Sequence, residues 1–128
     1  MDICVDFDGT CVTHEYPRIG KDIGALPVLK RLLENGHRLI LFTMRSDSEY
    51  GNYLTDAVEW LKANGIPLYG INTNPTQREW TNSPKAYGQL YIDDACAGCP
   101  LTLDHSLSNR PFVDWIVMEE LLEKRGLI

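Results

Sequence analysis

Four short apolar runs constrain this chain most: "DICVDF" over Asp2 to Phe7, "RLILF" within His37 to Phe42, "IPLYGIN" ending at Asn72, and "GQLYID" ending at Asp93. Each is nearly continuous rather than alternating in polarity, the pattern of strands covered on both faces, as in a parallel sheet. Helical spacing separates them. Ile23, Leu26, Leu29, Leu32 and Leu33 mark one apolar face that stops at Gly36, and Tyr53, Ala57, Trp60 and Leu61 mark a second that stops at Gly65, with Ser46 and Glu49 spaced as a capping box. Residues Thr73 to Pro84 are rich in Asn, Thr and Pro and predict a loop. A last helix is expected from Phe112 to Arg125 on the spacing of Val113, Ile116, Val117, Glu120 and Leu121. This alternation predicts an α/β fold with a doubly wound parallel sheet, Rossmann-like and layered α/β/α.

At 128 residues one hydrophobic core should organise everything, so residues 1–128 are expected to form a single domain. Lys and Arg number 12 against 18 Asp and Glu, a net charge of −6, which disfavours a general nucleic-acid or anionic-membrane surface. No apolar run is long enough to span a bilayer and no basic leader precedes the first strand, so a cytoplasmic location is expected. Four cysteines in such a chain read as free thiols. "FVDWIVMEELL" carries apolar surface beyond what one sheet face needs, which leaves room for a homo-oligomer.

In doubly wound sheets ligands bind beyond the carboxyl ends of the strands. Asp6 with Asp8, Thr43, and Asp93 with Asp94 all fall there. Carboxylates converging on one edge repel, each close pair by up to roughly 4 kcal/mol at the effective dielectric of a partly buried site. A cation must compensate them, and an oxygen-only ligand set without histidine favours Mg²⁺ over Zn²⁺. An aspartate beside that cation can attack phosphorus and form an aspartyl-phosphate. A second carboxylate two residues on can protonate the leaving oxygen and then activate water. Thr43, Lys85 and the backbone amides from Phe7 to Gly9 would bind phosphoryl oxygens, and Arg45 could grip substrate phosphate or simply start a helix.

"DFDGT", "LFTMRS", the lysine of "SPKAYG" and "LYIDDA", in that order on successive strands, resemble the four motifs of the haloacid dehalogenase superfamily of phosphohydrolases. The resemblance spans Asp2 to Ala95 and implies that Asp6 is the nucleophile and a magnesium ligand, with Asp8 as acid/base and a ligand through its backbone carbonyl. It further implies that Thr43 and Lys85 bind the transferred group, and that Asp93 with Asp94 beside it holds magnesium. An aspartate at Asp8 matches the phosphatase branches. Two departures stand out: Cys11 replaces the usual leucine or valine, and the 34 residues between Asp8 and Thr43 leave no room for a separate cap domain.

The expected activity is therefore that of a capless Mg²⁺-dependent phosphatase acting on a phosphorylated small molecule. Two rivals remain: a receiver-like module that accepts a phosphoryl group for signalling, and a catalytically silent phosphate-binding protein. Thr43 could instead be a helix cap, Lys85 a solvated surface residue, and Trp80 the anchor of its loop rather than, with Arg78, a substrate contact. Cys96 and Cys99 form a C-x-x-C without the second pair that zinc would need. With Cys11 and Cys96 expected to overhang the site, oxidation there should lower activity.

Overall fold

The structure, a computed structural model, describes residues 1–128. Its elements in chain order are β1 (Asp2–Val5), α1 (Ala25–Glu34), β2 (Arg38–Leu41), β3 (Asp47–Ser48), β4 (Gly51–Asn52), α2 (Tyr53–Ala63), β5 (Gly70–Ile71), β6 (Leu90–Ile92), β7 (Leu101–Thr102), β8 (Phe112–Val113) and α3 (Trp115–Lys124). A 3₁₀ turn at Gln77–Glu79 lies between β5 and β6.

Four strands form one sheet in the order β5-β2-β1-β6, all parallel, with Val5 level with Leu41 on one side and Ile92 on the other. The chain steps from β1 through α1 to β2 and through α2 to β5. It then returns across the sheet to place β6 on the far side of β1. Right-handed crossovers require this return to cover the opposite face of the sheet. No separate cap domain is present.

The expected three layers are not what the chain forms. All three helices bury their apolar faces in one core with Ile3, Val5, Leu39, Leu41 and Ile92, through Val28, Leu29 and Leu32 of α1, Ala57 and Leu61 of α2, and Trp115, Met118 and Leu122 of α3. The second sheet face presents Cys4 and Ile40, and Ala86 with Phe42, Tyr69 and Tyr91 completes its small cluster. That face is covered by irregular chain, because the return from β5 to β6 carries only the 3₁₀ turn where a crossover helix would run.

Gln77 does the work of that missing helix. Its side chain is buried and makes four hydrogen bonds: Oε1 accepts from the N–H of Asn74 (3.0 Å) and Tyr87 (2.9 Å), and Nε2 donates to the carbonyls of Ser83 (3.1 Å) and Lys85 (3.0 Å). Asn74 in turn donates to Asp2 Oδ2 at 2.8 Å, which fastens the segment to β1. A buried backbone needs partners, and here one amide supplies what a helix ladder otherwise would.

Candidate functional site

β1 and β6 are hydrogen-bonded neighbours, so the residues that follow Val5 and Ile92 emerge side by side at the carboxyl edge of the sheet. The backbone N–H of Asp6 donates to the carbonyl of Ile92 at 3.0 Å and holds that pairing to the last residue. Carboxylate oxygens of Asp6, Asp93 and Asp94 consequently lie within 4.8 Å of one another. They share a cleft of about 560 Å³ with Thr43, His14 and Arg110. The expectation that tips of separate strands meet around one point holds for these three acids and for Thr43.

Burial pushes the Asp6 carboxyl up; an N–H bond from Phe7 pulls against this, while the charge of Asp93 and the hydrogen bond and charge of Asp94 add to it, to about 8. Thr10, fully buried, sits between two of the acids, with Oγ1 3.2 Å from both Asp6 Oδ2 and Asp94 Oδ1 while accepting from the Asp94 N–H at 3.1 Å. One hydroxyl proton serves only one carboxylate at a time. Thr10 therefore cannot satisfy both acids at once, and the hard oxygen donors of the cluster in an open cleft fit a small divalent cation that keeps part of its water. Asp6, Asp93 and Asp94 would hold it.

The loop after β1 is shaped by Gly9, at φ +79°. A Cβ there would collide with the His14 ring and stand 2.6 Å from Asp94 Oδ2. His14 crosses this gap to place Nε2 3.0 Å from Asp94 Oδ2. An oxygen-only reading of the site thus needs correction, since a histidine six residues beyond Asp8 braces one of the acids. The loop is buttressed from the C-terminal segment: the Trp115 indole donates to the Thr10 carbonyl at 2.7 Å, and the Val113 N–H to the Gly9 carbonyl at 3.0 Å.

Asp8 and Arg45 differ most from expectation. Both oxygens of Asp8 are taken by Arg45, from Nε at 2.8 Å and from Nη2 at 2.8 Å. The same guanidinium donates to the carbonyls of Pro17 (3.1 Å), Tyr53 (3.0 Å) and Arg18 (2.8 Å), and its side chain is 1% exposed. All five guanidinium N–H donors are engaged. Arg45 is thus a buried strut rather than a grip on substrate phosphate, and Asp8 stands outside the group of three acids.

Thr43 lines the cleft, its N–H held by Asn72 Oδ1 at 2.8 Å and its Oγ1 accepting from the Arg45 N–H at 3.1 Å. It closes a turn rather than capping a helix. Lys85 is not brought to the acids: it is exposed, lies outside the cleft lining, and its Nζ stands 5.2 Å from the centroid of the Tyr91 ring. Trp80 is 61% exposed and meets Tyr87 edge to face at 5.2 Å on the loop over the second sheet face. Cys11 is buried beneath the site with Sγ 3.3 Å from the Asp6 carbonyl, so only Cys96 of the expected pair is exposed.

No family model matches the chain, and no curated protein matches it. A solved structure, that of the conserved protein coded by locus from Bacteroides thetaiotaomicron, is 36% identical, with 98% of this chain and 91% of that chain covered and a TM-score of 0.76. The chain belongs to the family of that conserved protein. The match runs over nearly the whole of both chains rather than a fragment of either. No helix is long and apolar enough to cross a membrane.

Proposed function

We propose that the protein is a capless, Mg²⁺-dependent phosphohydrolase of the haloacid dehalogenase type that works through an aspartyl-phosphate at Asp6. The observation that carries this reading is the convergence of Asp6, Asp93 and Asp94 within 4.8 Å at the ends of two adjacent parallel strands. Held by these three residues, Mg²⁺ would supply charge neutralisation and a Lewis acid for the phosphoryl oxygens. One carboxylate oxygen of Asp6 attacks phosphorus as the bond to the leaving oxygen breaks, and water later displaces Asp6 to release phosphate. Thr43 and Arg110, which line the same cleft, would supply donors to the phosphoryl oxygens, the duty assigned on sequence to Thr43, Lys85 and Arg45.

The proton for the leaving group is assigned to Asp8, which must then free an oxygen from Arg45. That clamp favours a second reading, in which Asp6 accepts a phosphoryl group and releases it slowly. Hydrolysis of an aryl phosphate, with and without chelator, separates the two. Chelator-sensitive turnover supports the phosphatase, whereas a phosphoryl adduct that accumulates without turnover supports the acceptor. Asp6→Asn should abolish turnover while leaving the fold intact, read as an unchanged circular-dichroism spectrum, and retained activity in that variant would refute Asp6 as nucleophile.

A further inference from the structure

The chain that leaves β6 makes two consecutive turns that share Cys96. In the first, the Cys96 N–H donates to the Asp93 carbonyl at 3.0 Å, and the Ala95 N–H donates to Asp93 Oδ1 at 2.8 Å. In the second, the Cys99 N–H donates to the Cys96 carbonyl at 3.1 Å, with Gly98 at φ +83° in its third position. A positive φ at that position is the signature of a type II turn, whose end Cα atoms lie within about 7 Å. Disulfides span about 4.4–6.8 Å between Cα atoms. The two thiols therefore stand at the ends of a turn that a disulfide can bridge.

We infer that Cys96 and Cys99 are a site of reversible disulfide formation that weakens cation binding by Asp93 and Asp94. Accessibility confines the chemistry to this pair: Cys96 is exposed and Cys99 half-buried, whereas Cys4 and Cys11 are buried. With a small disulfide such as oxidised glutathione, the Cys96 thiolate attacks one sulfur of the oxidant and expels one glutathione thiolate. The Cys99 thiolate then attacks the Cys96 sulfur, expels the second, and closes the bridge. Two electrons pass to the oxidant, and the two thiol protons go to the two glutathiones released.

The turn has open space on its Gly98 side, where a Cβ would meet nothing within 4 Å, so no neighbouring atom opposes an adjustment there. Its adjustment reaches the acids because Cys96 is the last residue of the turn that holds Asp93 by both its carbonyl and its carboxylate. The thiol form gathers the three acids within 4.8 Å; drawing the Cys96 side chain toward Cys99 pulls on the residue whose N–H holds the Asp93 carbonyl, and the inferred bridge acts on Asp93 and Asp94 through that hydrogen bond. Exposed disulfides in short turns are the readily reduced ones, which makes the step reversible by cellular thiols.

This inference rests on reading Asp6, Asp93 and Asp94 as cation ligands, and the test separates the two. The full chain is incubated with oxidised glutathione or with dithiothreitol, its thiols are alkylated, its peptides are weighed, and Mn²⁺ affinity is measured by the spin-resonance signal of free Mn²⁺. The expected result is a Cys96–Cys99 peptide lighter by two hydrogen atoms, Mn²⁺ affinity lower by about tenfold, the effect of disturbing groups that support a metal ligand, and recovery with dithiothreitol. Cys96→Ser and Cys99→Ser should keep, after oxidant, the Mn²⁺ affinity of the dithiothreitol-treated protein. Unchanged affinity in the bridged protein, or glutathione adducts in place of the bridge, would overturn the inference. Absence of Mn²⁺ binding by the reduced protein would instead bring down the cation reading, and this one with it.

Discussion

Arg45 turns its charge inward. Its guanidinium joins the acid of the β1 loop to three carbonyls from the 17–18 segment and the start of α2, so it fixes the cleft wall from below. Arg45→Met leaves the half-buried Asp8 and three carbonyls without their partner and should cost about 3 kcal/mol, read as a lowered denaturation midpoint. Adding Asp8→Leu should restore part of that loss, because the carboxylate no longer lacks a partner while the three carbonyls still do. Gly9→Ala combines a disfavoured φ with a collision against His14 and Asp94, and should destabilise by about 1–3 kcal/mol while weakening Mn²⁺ binding. Asp6, Asp93, Asp94 and Thr43 were legible in the sequence because strand ends can be located from apolar runs. His14, Thr10 and Arg110 were not, since their approach depends on how aperiodic loops close. The role of Arg45 was hidden for the same reason: which acceptors meet a guanidinium is decided by three segments distant in sequence.

Helices α1 and α2 follow the spacing that announced them, one over Ala25–Glu34 and one over Tyr53–Ala63, each followed by a glycine with positive φ. In α3 the sequence offers two apolar stripes, and the wrong one stands out. Val117 and Leu121 are partly exposed and Ile116 is 78% exposed, while Trp115, Met118 and Leu122 are buried. The indole bond to Thr10 selects the register, a long-range contact that periodicity does not contain. Val113 belongs to β8 rather than to the helix. The hairpins β3–β4 and β7–β8 have strands of two residues each, too short to carry a period. The capping box expected of Ser46 and Glu49 does not form. Asp47 takes its place, accepting from the Thr55 N–H at 2.9 Å and Oγ1 at 2.6 Å, and these bonds, the hydroxyl first, hold its carboxyl below the usual range. Asp47→Ala should therefore lower the chemical denaturation midpoint, and Ser46→Ala should leave that midpoint where it is.

At the scale of the molecule the proposed cation site and the fold are coupled, because the three acids close the ends of β1 and β6 and repel one another there. Asp6 sets the sign of the pH dependence. Its folded carboxyl is raised from the ordinary value of 3.8 to about 8, so below 3.8 both states hold the proton and nothing is lost. As pH rises through the interval the unfolded chain releases its proton while the native chain keeps it, and native stability falls. Without divalent cation the protein should melt at a lower temperature at pH 8 than at pH 5. On the proposed reading Mg²⁺ binds the ionised cluster and not the unfolded chain, so at a hundredfold excess over its Kd it should add about 2.7 kcal/mol, roughly a 10 °C rise in Tm for a domain of this size. Asp93→Asn should weaken that rise and, by removing one of the charges that raise Asp6, flatten the pH dependence of the cation-free protein. A melting temperature that is insensitive to Mg²⁺ at pH 8 and falls on acidification from pH 8 to pH 5 would show that these carboxylates neither bind a cation nor strain the sheet edge. The convergence of strand tips would then be a matter of packing alone.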